Sequence, residues 1–191
     1  MREVEYYPTI INELSRYNCR TYIYGKIHGE KGFYSVGHRK HFDLLIFNNV
    51  GNEKYIPNPL ALEVKVNNGA YGKSEGALGD ITRGLYDQIT GVYRDKVFKC
   101  EKENWEGIPK YAFTTINAFE GKPLYASHYP DSSTFYLERF AWRMGVRVLR
   151  KIGEKHYLTF NGQASCFDGS WIGWERFDTL WREEEKQRKW Y

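Results

Sequence analysis

Cysteine is scarce: Cys19, Cys100 and Cys166 are the only three, widely spaced and without a CxxC pair. Their odd count and spacing exclude a disulfide framework and give no cysteine pattern for zinc or an iron–sulfur cluster. Long apolar runs are missing as well. The longest, Leu44 to Phe47, falls far short of the ~20 residues that cross a bilayer, so no membrane partner is expected. Met1-Arg2-Glu3-Val4-Glu5 is acidic where a secretory leader would be basic and then apolar, so a cytoplasmic setting is the expectation. No internal repeat, low-complexity tract or Pro/Gly/Ser linker interrupts the 191 residues, which read as one domain. Neither sign of charge dominates. The 28 Lys+Arg against 24 Asp+Glu leave +4, compatible with a phosphate-rich partner without demanding one.

What is abundant is aromatic side chains, 17% of the chain, enough to serve a core, an interface or base stacking. Periodicity supplies the elements. Pro8 to Tyr17 predicts an amphipathic helix with Pro8 at the first helical position and Ile10, Leu14 and Tyr17 inward; Glu13 falls on the same stripe. Strands are expected over Arg20–Ile27, His41–Phe47, Leu60–Val66 and Lys110–Ile116, with a basic, glycine-studded loop from His28 to Lys40. A helix over Asp80–Arg94 would turn Ile81, Leu85, Gln88 and Val92 inward, and a second, capped by Ser132 or Ser133, would stop at Gly145. Val146–Arg150 reads as a short strand, and Asn161-Gly162 between His156–Phe160 and Gln163–Phe167 signals a two-residue hairpin. In the charge-dense tail helix Trp174–Lys189, the Trp174/Phe177/Trp181 face either packs on the sheet or meets a second copy in a homodimer. The succession is that of an α/β fold with a central mixed sheet flanked by helices.

The chemistry lies where acids interrupt two apolar strands. Asp43 is embedded in His41-Phe42-Asp43-Leu44-Leu45-Ile46-Phe47, and Glu63 and Lys65 sit two apart in Leu60-Ala61-Leu62-Glu63-Val64-Lys65-Val66, hence on one face. If these strands pair, Asp43 lies beside Glu63, and two half-buried carboxylates repel unless they share a cation. Mg²⁺, with Mn²⁺ as substitute, suits such an oxygen site, and Lys65 could orient or deprotonate an attacking water.

An acid on one strand and Glu-x-Lys on the next resembles the PD-(D/E)xK nuclease superfamily, and the order α-β-β-β-α-β over residues 8 to 116 resembles its restriction-endonuclease-like core. The resemblance implies a Mg²⁺-dependent DNA nuclease with Asp43 and Glu63 on the metal, joined by the Val64 carbonyl, and Lys65 assisting the water. It gives Glu13 the place of a first-helix metal ligand and Gln88 that of a catalytic glutamine on the helix after the motif. Phe42 stands where members commonly have proline, and Gln88 to Tyr93 is one residue longer than Gln-x-x-x-Tyr. The set looks most like archaeal Holliday-junction resolvases and small nucleases of archaeal viruses, which would place a viral version in host cytoplasm. Residues 117 to 191 form an elaboration outside the resemblance.

Around this centre, Arg39, Lys40 and His41 beside Gly37, together with Lys73, read as loop contacts to DNA phosphates, giving structure-directed rather than sequence-specific binding. His38 and His41 lack further ligands at zinc spacing and instead contact phosphate or cap the loop. Two rivals follow from the same residues. Asn67-Asn68-Gly69-Ala70-Tyr71-Gly72-Lys73-Ser74 resembles a nucleotide-binding P-loop, but Asn67 stands where the first glycine belongs. A non-catalytic DNA-binding protein on a nuclease scaffold is the other.

Overall fold

A computed structural model describes residues 2–25, 32–65, 83, 85, 89, 91, 93–122 and 133–173. The expected Asn67–Ser74 loop, Lys73, Gln88 and the Trp174–Lys189 helix lie outside the described residues.

The first helix, α1 (Glu3–Ser15), begins five residues earlier than its proline suggests. Arg2 is its N-cap, and the Glu5 carboxylate accepts the Arg2 backbone N–H at 2.9 Å, satisfying a donor the helix cannot. Pro8 is therefore interior. Tyr6, Tyr7, Ile10 and Leu14 form the buried stripe, placing two tyrosines where the expected helix had none.

Among the described residues the main sheet has eight strands. β1 (Arg20–Ile23), β3 (Leu44–Phe47) and β4 (Leu60–Lys65) are antiparallel neighbours; β7 (Lys110–Thr115) runs parallel to β4, and β8 (Arg147–Ile152) parallel to β7. β9 (Lys155–Phe160), β10 (Gln163–Cys166) and β11 (Trp171–Ile172) continue antiparallel to the far edge. A small second sheet joins β2 (Tyr34–Ser35), β5 (Phe98–Cys100) and β6 (Trp105–Gly107). Lys110–Ile116 ends one residue early because Thr115 turns to cap the short α2 (Ile116–Phe119), its hydroxyl accepting the Ala118 N–H at 3.1 Å. The helix α3 (Ser133–Arg143) stops at Gly145, where φ is +77°. Asn161 and Gly162, both left-handed, close the β9–β10 hairpin in the type I′ manner.

Both faces of the sheet are covered, which is why β4 is buried along its length rather than alternating with polar residues. On one face Leu44, Ile46, Leu60, Leu62 and Val64 pack against α1 and Phe119. On the other, Leu45, Phe47, Ala61 and Phe113 meet Leu85, Ile89 and Tyr93, whose backbone is helical, and the rings of the small sheet. Many of the described aromatic rings gather in this second layer. Phe42 stacks on Phe33 at 4.5 Å and meets Phe98 edge-on at 4.6 Å, so the residue before Asp43 is the anchor between the two sheets. Among the described residues no helix is long and apolar enough to cross a membrane.

One ion pair is almost wholly buried. Glu138 of α3 reaches Arg150 of β8 at 3.2 Å, with side chains 1% and 5% exposed. Its other oxygen accepts the Thr159 hydroxyl at 2.5 Å, and Thr159 in turn accepts the Trp142 indole N–H. Removing Glu138 takes this carboxylate from a buried guanidinium, so Glu138→Ala should lose about 3–5 kcal/mol in urea unfolding, while Glu138→Leu paired with Arg150→Met should recover much of it. A single-variant loss below ~1 kcal/mol would show the pair to be dispensable.

Candidate active site

Pairing of β3 and β4 aligns Leu44 with Leu62, and the same register carried one residue further sets Asp43 opposite Glu63. Asp43 stands just before β3, and its carboxylate takes over a strand position: Oδ2 accepts the Val64 N–H at 2.7 Å. Oδ1 accepts the Tyr7 hydroxyl from α1. Glu63 is 3% exposed. Its Oε1 lies 2.8 Å from Lys65 Nζ, and its Oε2 is buried with no hydrogen-bond partner. Lys65 also faces Glu3 of α1 at 3.7 Å. Three carboxylates thus surround one ammonium at the end of the sheet where β4 and β7 finish.

Burial pushes the Asp43 carboxyl up, against the Tyr7 and Val64 hydrogen bonds and the nearby Lys65 and His41, which favour its charged form. Glu63 is pushed up to about 8, by burial first and by the Asp43 charge next. For Lys65 burial alone would lower the pKa, but Glu63, Glu3 and Asp43 together raise it. Lys65 is thus favoured as a cation in the metal-free site. Tyr7, raised by burial and by Asp43, stays a hydroxyl donor.

Glu13 is not part of this cluster. It pairs with Arg16 at 3.3 Å, ten residues along α1 from Glu3, or roughly 15 Å of helix axis. The first-helix carboxylate that faces the cluster is Glu3, through Lys65. The misplacement follows from Pro8: taken as the helix start, it put the first turn out of view, and with it Glu3 and Tyr7. Tyr7 had a usable signal, being three residues before Ile10 on the inward stripe. Tyr93 is buried in the same neighbourhood, with Glu63 and Asp43 contributing to its raised pKa.

The basic loop borders the site. His41 is exposed and stacks flat on Tyr24 at 3.9 Å, and Arg39 and Lys40 are exposed beside it. His38 pins the loop: its Nδ1 accepts the Lys40 N–H at 3.2 Å, so Nε2 is the donor to the Val97 carbonyl at 2.9 Å. His38 therefore caps the loop, as one of its two expected roles had it.

Among the described residues no three His, Cys, Asp or Glu side chains form a metal-binding group. What fits a hard divalent cation is a smaller set: Asp43, Glu63 with its unpartnered oxygen, and the Val64 carbonyl, the one or two carboxylates that Mg²⁺ uses when water and substrate complete its shell. Compared with protein-family models, with curated proteins and with solved structures, the chain matches none.

The raised Glu63 carboxyl sets a pH dependence. Without metal, the folded protein holds this proton up to about pH 8 while the unfolded chain releases it near 4.5, so the folded state is favoured at low pH and loses that advantage as pH rises between those values. Urea midpoints of wild type and Glu63→Gln, taken across this window, should show wild type falling relative to the variant. Parallel curves would refute the assignment of the shift to Glu63.

Proposed function

We propose that this protein is a Mg²⁺-dependent DNA nuclease with a restriction-endonuclease-like core. The observation that carries the reading is the buried, unpartnered Glu63 oxygen beside Asp43 and Lys65. Two others support it: in the main sheet the succession is α1, β1, β3 and β4, then β7 after the helical Leu85, Ile89 and Tyr93, and the exposed Arg39, Lys40 and His41 lie at the border of the site.

In this reading Asp43, Glu63 and the Val64 carbonyl hold the cation. When bound it supplies Lewis-acid polarisation of the scissile phosphate and lowers the pKa of a water. The chain's own groups do the positioning. Tyr7 and the Val64 N–H fix both Asp43 oxygens, so the carboxylate cannot rotate away from Glu63. Lys65 places a permanent positive charge where negative charge grows during in-line displacement at phosphorus, worth the most in a site shielded from water. Glu3 keeps that ammonium from collapsing onto Glu63 alone. Arg39, Lys40 and His41 hold the backbone of the substrate, so DNA shape rather than sequence sets preference.

Assaying the protein with Mg²⁺ on linear, circular, single-stranded and branched DNAs tests this. Asp43→Ala, Glu63→Ala and Lys65→Ala should each lose about 10²-fold or more in cleavage, and Tyr7→Phe about tenfold. In Ca²⁺, DNA should bind without turnover and with a steep salt dependence. Full cleavage by Asp43→Ala or Glu63→Ala would end the proposal. Metal-independent binding without cleavage by wild type would favour a DNA-binding scaffold, and ATP affinity lost in Lys73→Ala a P-loop protein.

A further inference from the structure

At the opposite end of β7, roughly 16 Å of strand from the carboxylates, lies a cavity of about 260 Å³ that the proposed chemistry does not use. Lys110 opens β7 and Arg147 opens β8 on its wall, and Arg94 lines it as well; Asp95 is the one carboxylate among its described lining residues. Arg147 is only 6% exposed. Its Nη2 donates to the Lys54 carbonyl at 2.9 Å and Nη1 more weakly to the Gly145 carbonyl at 3.4 Å, while Nε is buried with no partner. Among the described residues no acid stands against Arg147. Burial alone acts on its charge, pulling its pKa down to about 10, and its guanidinium lies 4.2 Å over the Phe160 ring.

The contrast within the molecule is what points to a ligand. Arg150, equally buried, has Glu138, and the half-exposed Arg20 has Glu103 at 2.6 Å. A buried guanidinium held only by carbonyls is costly unless an anion shares the site. Here two further cations stand on the same cavity wall. Arg94 is tied to the Met144 carbonyl at 3.2 Å, which keeps its head near the cavity rather than in bulk water. Three cations outmatch a monoanionic carboxylate and suit a phosphate dianion with three terminal oxygens. The rest of the wall is apolar: Val146, Met144, Phe160 and Ile108, the last 54% exposed at the rim.

We propose that this cavity binds a phosphate monoester carried on a small apolar or aromatic group. Its size, just under the ~300 Å³ at which small-molecule sites begin, admits a compact ligand rather than a polymer. The site is independent of the carboxylate cluster, so either can fail without the other.

Calorimetric titration with phenyl phosphate, inorganic phosphate and phenol tests it, without divalent metal. Phenyl phosphate should bind saturably and at least tenfold tighter than inorganic phosphate, with phenol showing no binding. Arg94→Ala and Lys110→Ala, both exposed and outside the core, should each weaken phenyl phosphate at least fivefold, and Arg147→Met should abolish it. Glu63→Gln should leave it unchanged. The proposal is overturned if inorganic phosphate binds as tightly as phenyl phosphate, if both exposed variants bind like wild type, or if Glu63→Gln removes binding. Should Arg147→Met fail to fold, the two exposed variants decide alone.

Discussion

Two carboxylates held against each other at the end of one antiparallel strand pair set the terms for everything around them. The β3–β4 register leaves Asp43 and Glu63 no separate places, and the two apolar layers deny them water. Each neighbour answers that repulsion in its own way: Tyr7 and the Val64 N–H donate to one acid, Lys65 to the other, and a proton or a cation must supply what remains. A core of this kind is less stable than an apolar one of equal volume.

The sheet explains how such a cluster survives. With helices and a small aromatic sheet on its two sides, backbone positions around Asp43 are fixed by packing rather than by the carboxylate's own bonds. Phe42 is the clearest case: its contacts with Phe33 and Phe98 hold the chain immediately before the acid, so Asp43 keeps its place even where local charge would push it out. The C-terminal strands add breadth. Their Glu138–Arg150 pair ties α3 to β8 and extends the covered face beyond the strands that carry the site.

Much of this was legible in the sequence wherever one period dominated. Leu44–Phe47, Leu60–Lys65, the Asn161-Gly162 turn and the Gly145 stop were readable because apolar runs and left-handed residues have few other uses. The adjacency of Asp43 and Glu63 followed from assuming that the two strands pair. What escaped were features decided by tertiary contact. Nothing in Tyr34-Ser35 or Trp105-Glu106-Gly107 announces a strand; they form one because β5 offers an edge to each. Glu138, on the helix ending at Gly145, is buried because Arg150 and Thr159 from later strands meet it. Glu3 and Tyr7 were hidden by a proline read as a beginning when it is an interior residue.

That interior proline also loosens the first turn of α1. Lacking an N–H, Pro8 leaves the Val4 carbonyl without its helical donor, so the turn from Glu3 to Tyr7 is tethered by one backbone bond fewer than the turns behind it. Terminal turns are where native structure opens most cheaply, and this one carries the residues that cover Lys65 and grip Asp43. The turn that carries Glu3 and Tyr7 is therefore the part of α1 whose backbone amides should exchange with solvent first, ahead of the turns that pack on the sheet and while Glu63 stays almost wholly enclosed.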